Sequence, residues 1–302
     1  MKMTGYMKTI LILGAFFLFP GIRLCAQVPV YYNRTLNFLV EGQIDSAKAS
    51  AALLMQQPGA LTNPDCWYLN GVVQKELFKK YERADFDSKY RDSAFAAYKN
   101  SLLLDTVNAR MQVTRQHLRY LALEYFNHAV EALDTVRFET SIRCYEKYRA
   151  AMLVADPTFN IKLKDIEFNL ALASIYNDVY NLDKKKNISF FNKTRDTYLK
   201  VITWDSVNYT ANYSLGLLYW NKGVDLMFAI DYDDSLGAVF DVQDRSVELF
   251  KQAKPFAEKA YFMAPKREET LFVLSGIYYS LNDFEKSDQY RNLRDEILRN
   301  KD

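Results

Sequence analysis

The chain has 302 residues, 49% of them hydrophobic and 25% charged, which excludes a disordered or low-complexity protein and leaves ample material for a core. Ten Gly and seven Pro are too few for an all-β sandwich or barrel, whose strands need turn signals about every 8–12 residues. A net charge of +2 gives no electrostatic case for nucleic acid.

Residues 1–26 read as a secretory signal peptide. Lys2 and Lys8 precede the apolar run TILILGAFFLFPGI (9–22), and small Ala26 stands before Gln27. That run is shorter than the ~17 residues a membrane-spanning helix needs. Cys25 is a poor lipid-attachment site, because bulky Leu24 precedes it. Cleavage after Ala26 removes Lys2, Lys8 and Arg23 and takes the net charge from +2 to −1. The expected location is the periplasm or cell envelope, with membrane association only through an envelope complex. Residues 27–302 are expected to form one helical repeat domain.

Along the mature chain one pattern recurs. Leu121-Ala122-x-x-Tyr125, Leu172-Ala173-x-x-Tyr176 and Leu215-Gly216-x-x-Tyr219 each place a small residue after leucine and a tyrosine three later. A second frame of small and aromatic residues accompanies them. It reads Ala94, Tyr98, Ser101 in one copy, Thr194, Tyr198, Val201 in another, and Ala253, Ala257, Ala260 before Pro265 in a third. Helical spacing makes these two amphipathic helices, A and B, packed antiparallel with small residues at the seam. A glycine inside a helix costs about 1 kcal/mol relative to alanine, so Gly216 needs a packing reason. Close approach of helix B supplies it, and Gly216→Ala is expected to be nearly neutral. Gly223 is expected to end its helix A in a left-handed turn.

These frames resemble the tetratricopeptide repeat family, whose consensus pairs W-x-x-L-G-x-x-Y-x-x-x-G with A-x-x-x-F-x-x-A-x-x-x-x-P. Leu215, Gly216, Tyr219 and Gly223 match in register, and Trp67 and Gly71 keep the spacing in an earlier copy. Leu274, Tyr278, Phe284 and Ser287 fit at the end, with Asn282 where the turn glycine belongs. Six copies cover the mature chain. Their small helix B residues are Ala47, Ala94, Ser141, Thr194, Ala253 and Ser287, spaced by 47, 47, 53, 59 and 34. Only the last equals the family period, so the inner hairpins are lengthened. The resemblance implies an all-α fold, a right-handed superhelix (solenoid) of antiparallel helix pairs.

Other motifs carry little chemistry. His117 and His128 share one helix A, but no further ligand completes a metal site. The stretch DYDDSLGAVFDVQD (231–244) fails as a calcium loop, with Leu236 where glycine is needed and Val242 at the last ligand position. Cys66 and Cys144 lie in separate helical segments, with one disulfide between them left open. Asp-Ser/Thr triplets begin at Asp45, Asp92, Asp105, Asp134, Asp205 and Asp234. They suit helix caps and turns, and they also resemble the O-glycan acceptor motif of exported proteins in one bacterial lineage. The catalytic motifs G-x-S-x-G and H-E-x-x-H and a phosphate-cradling glycine loop are absent from the sequence. No enzyme activity, metal or cofactor is expected.

The expected function is that of an exported interaction scaffold. What the resemblance implies is a concave groove lined by helix A, accepting a peptide or partner protein. Its groove positions fall on Phe126 and Asn127 in the third copy and on Asn177 and Asp178 in the fourth. In the fifth they fall on Tyr213, Trp220 and Asn221, and in the sixth on Phe272 and Tyr279. Asn recurs three times, and its amide both donates and accepts, as an extended peptide backbone requires. Trp220 follows the seam residue Tyr219 and so points roughly 100° away, toward the groove or the neighbouring copy. The alternative is a glycan-binding helical receptor resembling the starch-utilisation outer-membrane receptors. Aromatic richness favours it, and a flat aromatic platform is its mark.

Overall fold

The computed structural model describes residues 27–231 and 233–300; the expected signal peptide (1–26) lies outside the described residues. Among the described residues every regular element is helical, and twelve α-helices form six consecutive pairs. Two compact units divide them.

The first unit comprises the residues up to Glu131 together with Glu139–Phe159. In it α1 (Gln27–Val40) pairs with α2 (Ile44–Met55), and α3 (Pro64–Leu77) with α4 (Lys89–Leu104). A π-helical turn, Phe78–Glu82, extends α3, so part of the extra length of this copy is helix. The third pair is α5 (Met111–Glu131) and α6 (Phe138–Ala155), joined by Ser141 Oγ donating to the Ala129 carbonyl at 2.6 Å. The stacking follows chain order, with α2 on α3, α4 on α5 and α1 on α3.

The second unit comprises Ala132–Phe138 and the residues from Asn160 onward. Here α7 (Ile161–Leu182) pairs with α8 (Ile188–Trp204), α9 (Tyr209–Phe228) with α10 (Leu236–Met263), and α11 (Glu268–Ser280) with α12 (Phe284–Arg299). Again each B helix meets the next A helix, α8 on α9 and α10 on α11, while α9 also touches α11. No helix among the described residues is long and apolar enough to cross a membrane.

Local sequence explains the boundaries. Asn63 accepts from the Asp65 amide with Pro64 at the first helical position of α3, and Ser88, Asn208, Ser235 and Asp283 cap α4, α9, α10 and α12 the same way. Gly42 turns α1 into α2 at φ +71°, and Asn282 does the same after α11 at φ +60°. Three of the Asp-Ser/Thr triplets work as turn staples. Asp105 accepts from the Ala109 and Arg110 amides, Asp134 from Val136 and Arg137, and Asp205 from the Asn208 side chain.

The small helix B residues Ala47, Ala94, Ser141, Thr194, Ala253 and Ser287 are all buried, as the seam requires. At Gly216 the approach is closer than the sequence implies. A Cβ there would sit 3.0 Å from the Ala257 backbone nitrogen and 3.1 Å from its Cβ, so even alanine must push α9 and α10 apart. Gly223 does not end its helix. It is buried mid-way along α9, where an added Cβ would lie 2.5 Å from the Phe250 ring, so its role is to admit that ring. Gly71 receives the Tyr98 ring in the same manner, at 2.8 Å.

Candidate functional site

Helix A of each late copy carries the residues that the groove reading singles out. Phe126 and Asn127 lie on α5 in the first unit, and the other seven lie in the second unit on α7, α9 and α11. Asn127, Asp178 and Asn221 are exposed, while Phe126, Asn177, Tyr213 and Trp220 are half-buried. Phe126 is held by its partner helix, its ring 4.9 Å from that of Tyr148 on α6.

On α9, Tyr209, Tyr213 and Trp220 share a face that meets α11. Tyr209 stacks on Tyr213 with centroids 5.9 Å apart and shares a 2.7 Å hydrogen bond with Thr270. Trp220 reaches across, edge-on to Phe272 at 5.7 Å, and its indole N–H donates to Ser280 Oγ at 3.3 Å. The ring lies so close over Gly276 that an added Cβ would fall inside it. Trp220 is therefore a contact between successive pairs. Phe272, half exposed, sits between Trp220 and the Arg294 guanidinium, 5.6 Å from its ring centre. Tyr279, 63% exposed, meets Phe284 edge-on at 5.5 Å and 68°. The structure thus brings Trp220, Phe272 and Tyr279 onto one run of the α9/α11 surface.

Buried electrostatics lie elsewhere, in the first unit. The Lys75 ammonium faces His117 Nδ1 at 3.3 Å, and His117 Nε2 faces the Tyr68 hydroxyl at 3.2 Å while its ring stacks on Tyr98 at 5.0 Å. Burial, then Lys75 and Lys79, pull the His117 pKa down to about 4. Burial also lowers the Lys75 pKa, against the Glu76 carboxylate 3.1 Å away. Among the described residues no three His, Cys, Asp or Glu side chains converge as a metal site would need. Cys66 and Cys144 are both buried and unpaired.

Gly276 escaped the sequence reading. The clue for Gly276 was available, because an interior helix glycine three residues before Tyr279 asks for a bulky neighbour, and Trp220 is one of three tryptophans in the chain. No sequence signal says which neighbour.

The packing defines an all-α helical-repeat protein. No family model matches the chain. No curated protein matches it either. Among solved structures, the crystal structure of MamA protein aligns over 92% of this chain and 94% of that one, at 12% identity and a TM-score of 0.28. A likeness at that level carries no weight, and the assignment of the fold rests on the helix pairs themselves.

Proposed function

We propose that this chain is an exported, non-enzymatic scaffold that binds an extended peptide or a partner protein along its A helices. The observation that carries the reading is the contrast on α11. Its seam residues Leu271, Leu274 and Ile277 are fully buried, while Phe272 and Tyr279 stay at least half exposed on the side shared with α9. The exposed aromatics of α11, with the amides of Asn177 on α7 and Asn221 on α9, would offer both apolar anchoring and backbone hydrogen bonding. Tyr279 and Phe284 meet edge-on, so this pair is not the flat platform that marks the glycan alternative.

Recovery of partners from envelope extract with the mature chain tests the proposal. Asn177→Ala, Asn221→Ala and Tyr279→Ala together should leave melting unchanged and abolish recovery of the protein that wild type enriches. Equal recovery by both would overturn it. Mass spectrometry of envelope material should find Gln27, cyclised, at the mature N-terminus, and diacylglycerol on Cys25 would replace a periplasmic location with a tethered one.

A further inference from the structure

The fifth and sixth pairs differ in length, and the difference leaves a shelf. Trp220 binds Ser280, the last residue of α11, so α11 stops at the level of Trp220. Helix α9 runs eight residues further, to Phe228, roughly 12 Å at 1.5 Å per residue. Helix α10 begins further out still. Gly216 meets Ala257 and Gly223 meets Phe250, a register that sets Phe228 opposite Arg245 and leaves residues 236–244 without a partner on α9.

One flank of this projecting hairpin is covered. Lys184 of the α7/α8 turn binds Asp225 at 2.6 Å, and Lys222 reaches the Tyr180 hydroxyl at 3.2 Å. The flank toward α11 and α12 is open. Lys254 and Glu258 of α10 meet Tyr278 of α11, and Leu236 and Phe240 precede them by eighteen residues, five helical turns, on the same stripe. On α9, Met227 stands two turns beyond Trp220 on the face that lower down meets α11. The shelf is apolar. Leu236 is 76% exposed, Phe240 60% and Met227 38%, and at its foot lies the half-exposed Phe284. Exposed apolar side chains gathered like this mark an interaction site more often than scattered ones.

Charge selects the occupant. Residues 231–244 contain five aspartates, Asp231, Asp233, Asp234, Asp241 and Asp244, and no lysine or arginine. Two copies of the tip would repel each other, which argues against self-association. An anionic lipid surface would be repelled likewise, and interfacial helices carry the opposite charge on their polar face. We infer that the shelf is a second docking site, separate from the A-helix groove, for a cationic amphipathic helix of a partner protein. Its apolar stripe would lie on Met227, Leu236 and Phe240 where a longer sixth pair would have packed, with its lysines or arginines against the aspartates.

The mature chain, residues 27–302, should bind a fluorescein-labelled Leu/Lys amphipathic helix of eighteen residues. Leu236→Ser with Phe240→Ser should weaken that binding at least tenfold without moving the melt, since both side chains are exposed. Asp233→Asn with Asp241→Asn should weaken it and flatten its salt dependence. Asn177→Ala with Asn221→Ala should leave it unchanged, which keeps failure here distinct from failure of the groove. The inference is overturned if the Leu/Lys helix does not bind or binds the serine variant as well as wild type. It is equally overturned if a Ser/Lys peptide of the same charge, or a Leu/Glu helix, binds as tightly.

Discussion

The fully buried Arg91 guanidinium donates from Nη1 to His128 Nδ1 at 2.7 Å, a cation on a neutral ring. Arg91 Nη2 donates to the Phe86 carbonyl at 2.7 Å, and the Tyr125 ring lies 4.2 Å from the guanidinium carbon. An arginine has no acceptor, so Nδ1 must be unprotonated. Nε2 then carries the hydrogen and donates to the Arg83 carbonyl at 3.0 Å. His128 is thereby fixed as one neutral tautomer.

Acid should therefore loosen the first unit. Burial and then Arg91 lower the His128 pKa, while burial and then Lys75 bring that of His117 to about 4. Unfolded, both imidazoles titrate near ~6.5. Between those values the unfolded chain binds more protons than the folded one, so stability is full above about pH 6.5 and falls as pH drops toward 4. Urea midpoints measured from pH 7.5 to 4.5 should decline, and His117→Gln with His128→Gln should flatten the decline. An unchanged slope in that variant would contradict the assignment.

The two thiols should be silent in the folded chain. Cys66 and Cys144 are buried, and burial raises both pKa values, Cys66 to about 11. The thiolate is the reactive species, so Ellman's reagent should label neither residue in buffer at pH 8 and both in denaturant. Labelling of either in buffer would show that its helix opens.

What the sequence made legible was periodic. All six helix pairs, and the six small residues buried on their B helices, follow from repeated local spacing that each copy restates. What it hid was pairwise. DTVN (105–108) and DSVN (205–208) read alike, yet Asn108 adopts φ +58° while Asn208 is an extended N-cap that accepts from the Ala211 amide. Arg91 and His128 are 37 residues apart with no shared motif, and Gly223 looked like a helix end because nothing in its neighbourhood names Phe250. The groove residues were placed by register with a consensus, which fixes a helix face and leaves open what the next pair does to it. Trp220 shows the consequence, since the next pair brings Gly276 to receive it.

The left-handed turn after α11 gives a local test. Asn282 sits at φ +60°, where the Asp283 amide donates to the Tyr278 carbonyl at 2.9 Å. Asn282→Gly should hold or slightly raise the melting temperature, whereas Asn282→Val should cost about 1–2 kcal/mol for a β-branched residue forced into that region. Equal stability of the two variants would mean that the turn adopts another conformation.

Trp220 and Gly276 should prove energetically coupled. Gly276→Ala gains about 1 kcal/mol in helix propensity. The added methyl collides with the indole and forces the ring or α11 to move, an overpacking cost of about 1–3 kcal/mol. The net effect should be destabilising. Trp220→Ala should cost about 3 kcal/mol, the low end for a tryptophan because the side chain is only half-buried. In the double variant the methyl has no ring to meet, so its penalty disappears and the propensity gain remains. The two changes should therefore fall short of additivity by about 1–3 kcal/mol in chemical denaturation, a coupling typical of side chains in direct contact. Strict additivity would mean that the indole does not rest on Gly276 and that α9 and α11 meet in some other way.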